Sequence, residues 1–119
     1  HRPFSSWQLL GAGAVGSQSL LGIPMIVRLR ERFGGRLSVW PFSVEPGAIV
    51  VAEVWPSLLP LDLTTEPVRD AAQVRGVAEW LSELDATGEL DPLFRLDGLP
   101  PALHETVVGE EGWVLGVRY

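Results

Sequence analysis

Cysteine and lysine are both absent from this chain of 119 residues, and all nine of its cationic side chains are arginine. Without cysteine, disulfides, thiolate nucleophiles and thiolate-bound metals are excluded. Without lysine, the chain has neither a Schiff-base lysine nor the lysine of a phosphate-binding loop. The missing lysine also fits a GC-rich coding bias, so it identifies no function.

Positive charge is scarce and long apolar runs are absent. The net charge of −6 argues against broad nonspecific nucleic-acid binding, which needs a basic face to displace counterions. It does not exclude an enzyme that contacts nucleic acid through metal ions. No apolar run approaches the roughly 20 residues of a membrane span, and no signal-peptide pattern opens the chain. We therefore expect a cytoplasmic protein without a membrane segment.

The composition is that of a folded protein. Apolar residues make up 46% of the chain and charged residues 20%, and the length suits a single domain. The chain begins at His1 without an initiator methionine, and its first residues lead into an ordered-looking segment. We therefore expect residues 1–119 to be one domain that forms the C-terminal portion of a longer protein. Any site shared with upstream residues would then be incomplete here.

Apolar spacing predicts a helix followed by two strands in the first half of the chain. The helix is expected over 12–33, with an interruption at Gly22-Ile23-Pro24, where proline removes an amide donor. Gly34-Gly35 is expected to close it. Strands are expected at 37–42 and 49–55. The near-continuous apolar character of the second strand predicts a central position that is buried on both sides.

A second helix is predicted from Glu66 to Asp85, with Thr65 as its N-cap and Gly88 as its stop. Its predicted buried stripe consists of Val74, Val77, Ala78, Leu81 and Leu84. A short helix is expected at 91–96, then a polar loop, then a final strand or extended tail at 112–117. This order of elements places the chain in the mixed α/β class.

Gly11, Gly13 and Gly16 form a G-x-G-x-x-G pattern, with Ser17 beside the last glycine. This spacing brings a pyrophosphate against the amides of a helix start. A dinucleotide site also needs a carboxylate at the end of the next strand, and 37–42 ends without one. Close helix packing also favours small residues at such a position. Packing is the favoured interpretation, and a cofactor site is the alternative.

Glu53 stands out because it lies in the apolar strand 49–55. Burying an unpaired charge costs several kcal/mol, so this carboxylate must lie at an edge, pair with an arginine or bind a metal. The end of a central strand is also where α/β enzymes place their sites. Asp70 falls in the first turn of the second helix, where an acid complements the helix dipole. Asp62 and Glu66 lie near it, but their spacing fixes no metal geometry.

The five tryptophans are spread one per element, which indicates packing more than a stacking platform. Trp40-Pro41-Phe42 and Trp55-Pro56 each end a strand with an aromatic residue followed by proline, so the two can line one rim of a ligand surface. Glu110 and Glu111 are expected to be solvated. Neither histidine has a partner at metal-ligand spacing.

Three segments together resemble a bacterial family. They are Ser6-Trp7-Gln8-Leu9 through Gly22-Ile23-Pro24, then Ala52-Glu53-Val54-Trp55-Pro56-Ser57-Leu58, then Glu111-Gly112-Trp113-Val114-Leu115-Gly116. The family carries labels such as molybdopterin-guanine dinucleotide or cobalamin biosynthesis protein, and looks related to predicted nucleases of the ribonuclease H-like superfamily. The resemblance spans most of the chain. It implies an α/β fold that contains a partial ribonuclease H-like sheet with flanking helices.

The resemblance also implies a set of site residues. Enzymes of that superfamily hold two divalent metals between carboxylates on the first strand, a later central strand and a C-terminal helix. Glu53, in a context similar to the family's E-[VI]-Y-P, matches the later-strand acid, and Asp70 matches the helix acid. Both would be catalytic and would bind Mg²⁺ or Mn²⁺. The first-strand aspartate has no match here and would lie upstream, so the fragment alone is expected to be inactive.

Three classes of function therefore stay open. The first is metal-dependent phosphoryl transfer or nuclease-like chemistry in the intact protein. The second is a nucleotide- or cofactor-binding module that uses Gly11, Gly13, Gly16 and Ser17. The third is a structural or interaction domain whose ancestral site has decayed, which an arginine paired with Glu53 would favour. The expected partner is the upstream region of the same chain, and contact with nucleic acid stays open.

The predicted sheet has few strands and an exposed edge where the upstream region would pair. Such an edge invites self-association, so we expect this chain to form a homodimer. Static light scattering at high concentration measures this directly, and a clean monomer would contradict the expectation.

Overall fold

The computed structural model describes residues 8–11, 16–43, 45 and 47–118. Its helices and strands, in chain order, are α1 (Gly16–Phe33), β1 (Leu37–Val39), β2 (Ile49–Val51), α2 (Arg69–Thr87) and α3 (Pro101–Thr106). Short 3₁₀ turns cover Gly34–Arg36, Pro56–Leu58 and Asp91–Phe94, and a π-helical turn, Val107–Glu111, continues α3. The mixed α/β class is therefore confirmed. Two described strands do not identify a ribonuclease H-like sheet, which stays a prediction.

The helix α1 is continuous from Gly16 to Phe33, so the predicted interruption at Gly22-Ile23-Pro24 is wrong. Pro24 lacks only the amide that would bond to the Leu20 carbonyl. Leu20 is 64% exposed, so water can reach this part of the helix and hydrate that carbonyl. The predicted end is confirmed, because Gly34 follows the helix with φ +55°. The predicted start falls on residues 12–15, which lie outside the described part.

The first two thirds of α1 carry apolar side chains that the described residues leave uncovered. The large apolar side chains at least 48% exposed there are Leu20, Leu21, Ile23, Met25 and Val27. Ile26, Leu29 and Phe33 are partly buried, and the helix packs on β1 through a narrow stripe. An uncovered apolar face of this size is typical of a surface that packs against further protein. The expected contact with upstream residues stays a prediction.

The strands β1 and β2 pair in parallel, with Leu37 opposite Ile49 and Val39 opposite Val51. Both are shorter than predicted. After β1 the chain turns through a cis Trp40-Pro41 peptide, and Pro41 has no amide to extend the ladder. The expectation that 49–55 is buried on both sides is wrong, because Val50 in β2 is 41% exposed.

The connection between the strands is held by Ser38, a buried polar residue in β1. Its hydroxyl accepts a hydrogen bond of 3.0 Å from the Gly47 amide. An ideal Cβ built on Gly47 would overlap the Arg36 carbonyl and lie 3.1 Å from the Ser38 nitrogen. Glycine is therefore required where this loop passes β1. Of the predicted turn, Glu45 forms a bend and Pro46 lies outside the described residues.

The helix α2 begins at Arg69, three residues later than predicted, and the residue before it is Val68, which makes no side-chain cap. Thr65 is therefore not the N-cap, and its hydroxyl instead donates to the Asp62 carbonyl at 3.3 Å. Pro67 disfavours helical geometry at the preceding residue, which explains the later start. The stop is confirmed, because Gly88 is left-handed with φ +76°.

The buried face of α2 is rotated from the predicted stripe. Val74 is 73% exposed and Ala78 is also exposed, so these two assignments are wrong. Val77, Leu81 and Leu84 are partly buried. Ala72 is fully buried, and Gly76 packs against Leu61 from the loop before the helix, with an ideal Cβ 3.2 Å from its side chain. The packing of that loop determines which face of α2 is buried, and the apolar spacing of the helix does not predict it.

The C-terminal region contains a helix where a loop was predicted. Proline is well tolerated at the first position of a helix, and Pro101 begins α3 in this way. The predicted short helix at 91–96 is a single 3₁₀ turn. The predicted final strand forms one parallel bridge, between Glu53 and Val114. Among the described residues, no helix is long and apolar enough to cross a membrane.

We expect Gly47→Ala to destabilise the fold by at least about 2 kcal/mol, because a methyl group there would displace the backbone of Arg36. Gly35→Ala is the matched control, since an ideal Cβ at Gly35 meets nothing within 4 Å. Urea denaturation of both variants measures the free energy of unfolding. Equal stability of the two variants would contradict the close approach of this loop to β1.

Candidate functional site

The candidate site lies beyond the carboxyl end of β2. The Leu115 amide donates a 2.8 Å hydrogen bond to the Glu53 carbonyl, and this contact brings the C-terminal segment beside the strand end. Between them lies a shallow cleft of about 270 Å³, which we call the acidic cleft. It is lined by Glu53, Trp55, Glu111, Gly112, Trp113, Val114 and Val117. Parallel α/β sheets commonly place binding sites at this end of their strands.

Glu53 is exposed, not buried among apolar side chains as its sequence context suggested. Its Oε1 atom accepts a hydrogen bond of 2.7 Å from the Trp55 indole nitrogen. Within the described part of the chain it forms no ion pair with an arginine. Of the three expected environments, the edge of the sheet is the one observed. Water can hydrate this carboxylate, so its position requires no buried partner.

Glu111 is brought to the same cleft by the end of the π-helical turn. The Gly112 amide donates to the Val107 carbonyl at 2.9 Å, and Gly112 has φ +76°, which favours glycine. An ideal Cβ on Gly112 would lie 3.0 Å from the Phe42 ring, so the chain passes close to that side chain. Glu111 was expected only to be solvated and not to be a site residue. It differs from other exposed acids in lining the same cleft as Glu53, which is distant in the sequence.

The two tryptophans of the acidic cleft are held differently. Trp55 is 47% exposed and its indole N–H is bonded to Glu53. Trp113 is partly buried, and its indole N–H donates to the Val117 carbonyl at 2.9 Å. Trp40, the other predicted rim residue, bonds to the Phe94 carbonyl and packs edge-on against that ring at 5.8 Å. Trp40 therefore packs the interior, while Trp55 faces the cleft.

Asp70 lies in the first turn of α2 and is exposed, but it does not line the acidic cleft. Glu66 forms an ion pair of 2.6 Å with Arg75, and Asp62 bonds to Thr64. Within the described ranges no three histidine, aspartate or glutamate side chains form a group able to hold a metal. Glu53 and Asp70 are therefore not brought together in one cleft, and the role that the resemblance gives Asp70 stays a prediction.

The glycine run is described only in part. Gly11 has φ +113° and Gly13 lies outside the described residues. Gly16 is buried at the first position of α1, and its amide donates to the Gln8 carbonyl at 3.3 Å. Ser17 is exposed. Because the Gly16 amide already has a carbonyl partner, it is engaged in local backbone structure, as the packing interpretation expects.

The donor set of the acidic cleft fits one hard cation. Mg²⁺ is commonly held by one or two carboxylates, with water and substrate phosphates completing its shell. Glu53 and Glu111 supply that number of carboxylates in an open cleft. The two-metal set that the resemblance implies needs more acids than this cleft contributes. The described residues therefore fit part of a metal site.

A second cleft, of about 310 Å³, adjoins the first, and we call it the basic cleft. It is lined by Pro92, Arg95, Leu96, Asp97, Leu99, Trp113, Val117 and Arg118. Trp113 and Val117 line both clefts and thus form the boundary between them. Two acids therefore line one cleft, two arginines and Asp97 line the other, and the two clefts share Trp113.

Comparison with known proteins adds no relative. No protein-family model, curated protein or solved structure matches the chain. The family resemblance of the three segments therefore stays a prediction. The geometry of the two clefts is what supports a function.

Asp62 gives a measurable test of the loop that precedes α2. Its Oδ1 accepts hydrogen bonds from the Thr64 hydroxyl at 2.6 Å and the Thr64 amide at 2.8 Å. The hydroxyl bond, and then the amide bond, lower the pKa of Asp62 below its usual value. A lowered pKa means that these bonds stabilise the fold above the unfolded-state pKa. That stabilisation is lost as the pH falls through the folded-state pKa.

We therefore expect Thr64→Val to raise the pKa of Asp62, since it removes the stronger donor and keeps the amide. Carbon-13 NMR titration of the carboxyl resonance measures this. Thr65→Val is the matched control, because the Thr65 hydroxyl donates to the Asp62 backbone carbonyl and not to its carboxylate. An unchanged pKa in Thr64→Val would contradict this loop geometry.

Proposed function

We propose that the acidic cleft binds a divalent cation, Mg²⁺ or Mn²⁺, and that the intact protein uses it in metal-dependent phosphoryl transfer or nuclease-like chemistry. One observation carries the proposal. Glu53 and Glu111, 58 positions apart in the sequence, line one cleft beyond the carboxyl end of β2. The resemblance supports the same reaction class for Glu53 alone, which matches the later-strand acid of ribonuclease H-like enzymes.

The chain's own residues have distinct parts in this proposal. Glu53 and Glu111 supply carboxylate oxygens, the ligands that Mg²⁺ and Mn²⁺ prefer. The Trp55 indole holds one oxygen of Glu53 and so fixes the orientation of that carboxylate. A bound divalent cation would supply charge stabilisation to a phosphate oxygen. Because the cleft contributes two acids, we propose that further ligands come from substrate phosphate and from residues upstream of this chain.

A second function is favoured by the two indoles in the same cleft. Trp55 and Trp113 line it together with the carboxylates, and indole rings attract ammonium and guanidinium groups. In this alternative the domain is an interaction module that binds an organic cation, such as an arginine side chain of a partner. The two proposals differ in the ion they favour, so one titration separates them.

Isothermal titration of Mn²⁺ into the chain is the test. We expect Glu53→Gln and Glu111→Gln each to weaken binding by roughly tenfold or more, because loss of a direct ligand should cost at least as much as loss of an outer-shell partner. Glu110→Gln is the matched control, since Glu110 is exposed next to Glu111 but does not line the cleft. Asp70→Asn tests the resemblance separately. The resemblance predicts that this variant loses Mn²⁺ binding, whereas the geometry of the cleft predicts no change.

Three outcomes would contradict the metal proposal. The first is no Mn²⁺ binding by the unaltered chain. The second is an equal effect of the Glu110 and Glu111 variants, which would indicate general charge attraction. The third is binding of methylguanidinium at concentrations where Mn²⁺ does not bind, which would favour the interaction module.

A further inference from the structure

The basic cleft holds two arginines that have no acidic partner in the described part of the chain. Arg95 and Arg118 are both exposed, and neither forms an ion pair within residues 16–43 or 47–118. Asp97 lines the same cleft but is not within ion-pair distance of either. The chain carries 15 acids against nine arginines. Two arginines that converge on one cleft without an acid partner are therefore available to an external anion.

Guanidinium groups have a specific preference among anions. Each presents a planar fork of N–H donors that matches a phosphate or a carboxylate, and such charge-assisted hydrogen bonds are among the stronger ones in proteins. The proposed reaction class acts on phosphate esters, so a phosphate group is the anion that suits both clefts. Arg95 precedes α3 in the sequence and Arg118 follows it. The fold of the C-terminal region therefore brings both residues to the same cleft.

The third component of the basic cleft is an aromatic wall. Trp113 lines it and is held by the hydrogen bond from its indole N–H to Val117. Leu96 and Leu99, both partly buried, add apolar surface. Nucleobases stack on such rings, because every base has a flat aromatic face. A phosphate site beside a fixed indole therefore favours a phosphate that is attached to a planar ring.

We infer that the basic cleft binds one nucleotide unit, with its phosphate on Arg95 and Arg118 and its base against Trp113. The shared indole places this unit beside the acidic cleft, so the substrate class of the proposed phosphoryl transfer is a nucleotide or a nucleic-acid strand. The inference rests on the proposed function for the reaction, but the binding itself needs no metal. The chain's net charge of −6 argues against broad nonspecific nucleic-acid binding, so a local site such as this cleft is required.

Titration of adenosine monophosphate into the chain in the presence of EDTA is the test. We expect Arg95→Gln and Arg118→Gln each to weaken binding about tenfold, as the loss of a charge-assisted hydrogen bond predicts. Arg30→Gln is the matched control, because Arg30 is an exposed residue of α1 outside the cleft. In protein labelled with nitrogen-15 tryptophan, the Trp113 indole resonance should shift on binding, while that of Trp40 should not.

The controls keep this inference separate from the metal site. Glu53→Gln and Glu111→Gln should leave nucleotide binding in EDTA unreduced, since neither residue lines the basic cleft. The inference requires that both the phosphate and the base contribute to binding. It would be overturned if inorganic phosphate or adenosine alone bound as tightly as the nucleotide. Absence of nucleotide binding would overturn it as well and would leave the Mn²⁺ result standing. Loss of Mn²⁺ binding with nucleotide binding intact would overturn only the metal proposal.

Discussion

The hydrogen bond from the Leu115 amide to the Glu53 carbonyl holds the candidate site together. It belongs to the parallel bridge between Glu53 and Val114, which joins the C-terminal segment to the end of β2. Glu111 and Trp113 precede this bridge by a few residues, so they are brought beside Glu53 and Trp55. The acidic cleft therefore depends on a contact between residues that are far apart in the chain, and the basic cleft shares its Trp113 wall.

Two glycines allow the C-terminal segment to make that contact. Gly112 ends the π-helical turn with φ +76° and passes close to Phe42, and Gly116 turns away with φ +85° close to Trp80 of α2. Between them, Leu115 is buried with 4% of its surface exposed. The segment is thus anchored to β2 by a backbone bond and to α2 by packing. The result is that Trp113 is fixed on the boundary between an acidic and a basic cleft.

Local signals in the sequence were sufficient for the two long helices and the two paired strands, but not for the C-terminal region or the site. Gly34 and Gly88 ended the two long helices as predicted, because a left-handed glycine is a local requirement. The start of α2 was misplaced because Pro67 constrains the residue before it, a steric effect stronger than the capping preference of Thr65. Burial of Glu53 was inferred from apolar neighbours, yet exposure depends on what packs against the strand. Glu111 was missed because its partner lies elsewhere in the chain.

The most direct measurement of the central claim is a titration of Mn²⁺ followed by NMR of tryptophan indole resonances. A paramagnetic ion broadens resonances only near its binding site. If Glu53 and Glu111 hold the ion, the indole signals of Trp55 and Trp113 will broaden at lower Mn²⁺ concentrations than the signal of Trp40, which packs against Phe94 outside the cleft. Equal broadening of these three signals, or none at saturating Mn²⁺, would contradict a metal site in the acidic cleft.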